Sequence, residues 1–221
     1  MTITRMAGCA TPGAPSIAIK EPAGNCLSDL VFPRQNAVDG TMRSIAEANC
    51  RELKWVQPRA MKRNYELRSG EEVLGRLQWE TISGSLANAE SADGRWTFKR
   101  TGFFNPQITV RAPGSDSNLA VFSPNWKGGG LLTFSDGTRL QWTSDGFWHS
   151  RWAFIRETGV RLVEFEPESS FLKTSAVAKV TQEGFSTPAF SLLIFLGWYL
   201  MVLRADDDAA GAAAVVVCVA T

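Results

Sequence analysis

One histidine in 221 residues is too few for the imidazole clusters on which many transition-metal sites and catalytic triads are built. The four cysteines, Cys9, Cys26, Cys50 and Cys218, are scattered, with no C-x-x-C pair and none between 51 and 217. That spacing excludes the common zinc frameworks and a disulfide scaffold, and suits a reducing, cytoplasmic compartment. No N-x-S/T acceptor occurs, and although "RMAGC" resembles a lipoprotein cleavage site, no apolar segment precedes it, so no signal peptide is expected. Phosphate loops are missing as well. "NWKGGGLL" puts Lys127 ahead of its glycines, the reverse of the required order, and "GEEVLGRL" is followed by no Lys-Ser or Lys-Thr, so both read as hairpin turns. With no nucleophile elbow, metal cluster or phosphate loop, the chain reads as non-enzymatic and without a cofactor. A net charge of +1 gives no reason to expect a nucleic-acid partner.

Residues 1–49 mix Pro, Gly, Ala and Ser without a period and are expected to form a disordered N-terminal arm. From position 50 onward the text alternates. "GRLQWE" sets Leu77 and Trp79 against Arg76, Gln78 and Glu80; "RWTFKR" sets Trp96 and Phe98 against Arg95, Thr97 and Lys99; "TRLQWTS" repeats the pattern with Leu140 and Trp142. Side chains alternate across a strand, so each run has one apolar face. Asp93-Gly94, Asp136-Gly137 and Asp145-Gly146 are read as hairpin turns between them. Counting runs predicts twelve strands: 52–58, 63–68, 72–80, 84–90, 95–100, 107–111, 118–123, 130–134, 138–143, 147–156, 160–166 and 174–181. A sheet of that length removes its edges by closing.

The stretch from Gly184 to Leu203 carries no charge. Pro188 suits a first helical turn with Ser186 or Thr187 as cap, and a helix over 188–204 spans roughly 25 Å, short of a hydrocarbon core of roughly 30 Å. Twelve strands tilted by about 40° close at a radius of roughly 12 Å, too wide to be filled by their own side chains. An apolar helix is the matching plug. The fold class is therefore all-β: a closed antiparallel barrel of about 12 strands around a central hydrophobic C-terminal α-helix, occupying 50–204. Asp206 is read as the cap of a second helix after a break near Arg204–Ala205, leaving 205–221 as a short apolar segment folded back on the barrel.

"YELRSGEEVLGRLQW", "ADGRWTFKRTGFF", "LAVFSPNWKGGGLLTFSDGTRLQW", "FWHSRWAFI" and "LLIFLGWYLMVLR" together resemble the tubby C-terminal-like superfamily, which includes LURP-one-related proteins and phospholipid scramblases, in its small bacterial form. The resemblance lies in the order of strands, turns and helix over about residues 51–204. It implies such a barrel and, in some members, binding of anionic lipid through basic residues on the outer face. The Asp run here follows the last helix, unlike the calcium-binding loop attributed to scramblases.

The basic residues are unevenly distributed. Residues 51–111 hold eleven bases against seven acids, and 112–221 hold eight against eleven. A lipid-binding set is expected: Lys62, Arg63, Arg68, Arg95, Lys99 and Arg100 on outward positions, with Trp126 and Lys127 in a loop. Glu164, Glu166 and Glu168 read as an outward acidic edge, and His149, between Trp148 and Trp152, as a packing residue. The expected protein is a monomeric binding or scaffold module, cytoplasmic or peripheral to a membrane, whose partner is an anionic phospholipid surface. The other reading is a protein anchored by its C-terminal helix, with scramblase-like lipid movement.

Overall fold

The structure, a computed structural model, describes residues 42–60, 62–102, 104–145, 151–168 and 174–219, with side chains as far as 211. Its strands are β1 (Glu52–Val56), β2 (Asn64–Ser69), β3 (Glu72–Trp79), β4 (Ala87–Ser91), β5 (Gly94–Thr101), β6 (Gln107–Arg111), β7 (Asn118–Pro124), β8 (Gly130–Phe134), β9 (Arg139–Asp145), β10 (Arg151–Arg156), β11 (Arg161–Glu168) and β12 (Ser175–Val180). Each pairs antiparallel with its sequence neighbours, and β1 pairs with β12, which closes the barrel. The apolar faces point inward as alternation requires: Leu77, Trp79, Trp96, Phe98, Leu140 and Trp142 are all buried, while Arg76, Gln78, Arg95 and Lys99 are exposed. The strand register slips between Leu67 and Arg68, and there two successive β3 residues, Leu74 and Gly75, are both buried.

Antiparallel order gives the barrel two poles. The loops β1–β2, β3–β4, β5–β6 and β7–β8 lie at one, and β2–β3, β4–β5, β6–β7, β8–β9 and β10–β11 at the other. After β12 the chain makes a short helix, α2 (Gln182–Phe185), capped by the Thr181 hydroxyl, and then α3 (Phe190–Val219) runs through the lumen. Pro188 precedes α3 by two positions. Thr187 links the turn to the wall, donating to the Glu183 carbonyl at 2.9 Å and accepting from Arg156 at 3.1 Å. Ile194 to Leu196, Trp198 and Tyr199 are fully buried. Trp198 stacks on Trp55 at 5.7 Å and Tyr199 on Trp79 at 5.3 Å, so aromatic pairs join helix to wall.

Two expectations need correction. The helix does not break at Arg204–Ala205 but continues to Val219, with 205–211 exposed beyond the barrel. The aspartates are therefore mid-helix rather than at a terminus, where the macrodipole would act on them, and basic residues hold them there. The arm expected over 1–49 is ordered at its end: α1 (Ile45–Ala48) is capped by Ser44, and Ile45 is buried in the core. Asp93 accepts from the Ile45 N–H at 2.9 Å and from the Ser44 hydroxyl, so it holds this segment against the pole opposite the helix exit. Residues 1–41 lie outside the described residues, as do Phe147, Trp148 and His149.

Candidate functional site

The exit pole, where α3 leaves the barrel, gathers most of the residues singled out from sequence. Lys62 and Arg63 end the β1–β2 loop, Lys99 and Arg100 lie near the end of β5, and Trp126 and Lys127 form the β7–β8 turn. Arg68 and Arg95 do not join them. β2 runs away from the exit pole and β5 towards it, so these two side chains sit at the opposite end of the wall. There Glu66, Arg76, Glu90 and Arg95 stand opposite one another on adjacent strands in alternating sign. Arg68 pairs with Glu66 at 2.6 Å and Arg95 with Glu90 at 3.4 Å. Neutralisation of this kind, within β2 and across β4–β5, leaves little net charge for a ligand.

At the exit pole the arginines are engaged as well, through the helix. Arg63 pairs with Asp206, donates to the carbonyls of Ile82 and Gly84, and lies 4.7 Å from the Trp79 ring centre. Its side chain is only 15% exposed, so it belongs to the structural collar rather than to an open basic surface. Arg100 grips Asp207 with two bonds of 2.9 and 3.0 Å. Arg204 reaches Asp208 at 3.7 Å and stacks over Trp152 at 4.8 Å. Burial pushes the Asp206 carboxyl above its ordinary range, with Arg63 pulling it down and Asp207 pushing it up. Burial also raises the Tyr199 phenol, which donates to the Ser85 carbonyl beneath the collar.

Lys62, Lys99 and Lys127 differ from these arginines: each is exposed, and none makes an ion pair among the described residues. Lys127 lies 5.1 Å from the ring of Trp126, whose side chain is 90% exposed. Six other tryptophans, at 55, 79, 96, 142, 152 and 198, are buried, so Trp126 is the outlier that its loop position predicted. Between this turn and the emerging helix lies a cavity of about 560 Å³, walled by Trp126, Trp142, Trp152, Arg100 and Arg204. Gly128 suits the turn there: its φ of +84° is left-handed, a conformation other residues rarely adopt, and it lies against the Arg204 guanidinium. Sequence reading missed Arg204 and the aspartates as partners of this site, because their pairing depends on where an unbroken helix emerges.

Elsewhere the acidic edge is paired across strands, with Glu166 on Lys179 at 2.9 Å and Glu168 on Lys54 at 2.9 Å. Among the described residues no three His, Cys, Asp or Glu side chains are placed to hold a metal. No helix is long and apolar enough to cross a membrane, among the described residues. A scan of protein-family models finds no match to this chain, and neither curated proteins nor solved structures supply one.

Proposed function

We propose that this protein is a non-enzymatic binding module of tubby-like architecture that meets an anionic phospholipid surface, peripherally and from the cytoplasmic side. The observation that carries the reading is the placement of Lys62, Lys99 and Lys127, exposed and without ion-pair partners among the described residues, on the same pole as the exposed Trp126. Near an anionic leaflet each such cation is worth about 1 kcal/mol, and an indole favours the headgroup layer. The paired arginines add little, because an ion already neutralised must give up its partner before it attracts another. The surface is thus narrower than the eight residues expected from sequence.

Sedimentation with vesicles tests the reading. Vesicles containing phosphatidylserine should retain the protein at low salt, neutral vesicles should retain less, and retention should fall as salt shortens the Debye length to about 8 Å. The K62E/K99E/K127E variant should lose retention and keep its unfolding midpoint, since exposed charges contribute little to stability. Arg63 is excluded from the variant because reversing it would place a carboxylate against Asp206. Equal retention of variant and wild type would sink the proposal.

A further inference from the structure

We infer that the barrel docks end-on against a lipid bilayer, exit pole first, with the hairpin tips Ile82, Phe104 and Trp126 entering the interfacial layer. This rests on the lipid-surface reading above but adds an orientation and an apolar component that surface charge alone does not require. Three observations carry it.

The first is the position of exposed apolar side chains. Ile82, Phe104 and Trp126 are 81%, 96% and 90% exposed. They occupy the β3–β4, β5–β6 and β7–β8 loops, which are consecutive on one rim because the strands follow chain order around the barrel. Among the described residues of the opposite pole, the large exposed apolar residue is Val160, at 37%. Isolated exposed apolar residues are ordinary; three on neighbouring tips of one rim mark a contact surface.

The second is the charge of the two ends. The described turns at the opposite pole, 70–71, 92–93, 112–117, 135–138 and 157–160, hold Glu71, Asp93, Asp116, Asp136 and Glu157 and no Lys or Arg. Apart from Arg63, which Asp206 takes up, the described exit-pole loops before β2, β4, β6 and β8 hold Arg59, Lys62 and Lys127 against the single acid Glu80. Asp206, Asp207 and Asp208 also lie at this pole, but each is paired with an arginine. Arg43, Arg68 and Arg95, near the opposite pole, are paired with Glu72, Glu66 and Glu90, and its turn tips are acidic, so an anionic leaflet favours the tips of the exit pole over those of the other. The third is the helix, which leaves through this same pole and continues to Val219 in a sequence with no charged residue after Asp208.

A bilayer satisfies all three observations together. It offers anionic headgroups to the lysines and, just beneath, an apolar layer to the tips.

The experiment uses the full chain with phosphatidylcholine–phosphatidylserine vesicles whose acyl chains carry bromine, a short-range quencher of indole fluorescence. Wild type should be quenched on binding, and the quenched component should disappear in Trp126→Phe. The I82D/F104D/W126D variant should partition at least about tenfold more weakly at physiological salt. V160D at the other pole should partition like wild type, and all of these exposed substitutions should leave the unfolding midpoint in place. Vesicle-bound protein with Trp126 unquenched, or a triple variant that binds like wild type, would overturn end-on docking while leaving the charge-based reading standing. Failure of wild type to bind anionic vesicles removes both. Tip-dependent dimerisation without vesicle binding would assign the rim to a second copy of the chain and overturn the inference.

Discussion

Tyr65 illustrates how the lumen acts on single residues. Its side chain is 4% exposed and meets Trp79 and Trp198 edge-on at 5.5 and 5.3 Å. Burial pushes its phenol up to about 12, against a pull downward from Arg63. In the unfolded chain the same phenol ionises near 10. The folded state therefore keeps its proton longer, so the associated stability is fully present below about pH 10 and is lost as pH rises towards 12. A shift of this size corresponds to a loss on the order of 3 kcal/mol. Tyr65→Phe should show a shallower alkaline decline than wild type when urea unfolding is compared at about pH 8 and about pH 11. Tyr199 shifts in the same direction, so the variant retains part of the slope. Parallel declines in the two proteins would show that Tyr65 is not protected by the lumen.

The helix and the wall fit each other at small residues. A Cβ on Gly197 would lie 2.3 Å from the Phe165 ring, and one on Gly75 would lie 2.4 Å from Phe195. Phe165 and Phe195 are both fully buried, so neither ring has solvent space to move into. In an isolated helix, Gly→Ala is worth about 1 kcal/mol in favour of alanine. Overpacking a full core costs about 1–3 kcal/mol, so packing should decide the sign inside the barrel. Gly197→Ala should therefore lower stability in denaturant titration. Gly211→Ala, on the exposed part of the same helix with nothing within 4 Å of the added carbon, should not. Equal effects at the two positions would mean that α3 is not gripped by the wall. The same grip fixes where the helix emerges, which is what brings Asp206 to Arg63 and Asp207 to Arg100.

For the molecule as a whole, the arrangement of charge matters more than its sum. A net charge of +1 gives no hint of a preferred face, yet the described loop tips of one pole are basic and apolar and the described turn tips of the other are acidic. Position can be separated from total charge with matched variants. K62E/K127E alters the exit pole; R111E/R139E alters the far ends of β6 and β9 and changes the net charge by the same amount. Retention on phosphatidylserine vesicles should collapse for the first pair and persist for the second. If both pairs lose binding equally, the interaction follows total charge and the polarity of the barrel has no part in it.

The closed all-β architecture was legible because its signals are local. Alternation places Trp96 and Phe98 inward regardless of context, and an uncharged run from Gly184 to Leu203 requires an apolar surrounding wherever it lies. Strand edges were read within a few residues for the same reason. Asp93 lies in the β4–β5 turn, as read, and also holds α1, a role that alternation could not show because its partner Ser44 is remote in sequence. Trp126 could be picked out because it falls between strands rather than on one. Tertiary structure alone decided which cations are open: Arg63 and Lys62 are adjacent in sequence, yet the emerging helix brings Asp206 to one and leaves the other without an ion-pair partner among the described residues. It also decided that α3 stays continuous through its aspartates, because three arginines from the rim and the helix itself meet those carboxylates. Short-range alternation is written residue by residue, whereas the pairing of charges depends on which chain ends a closed barrel brings to the same pole.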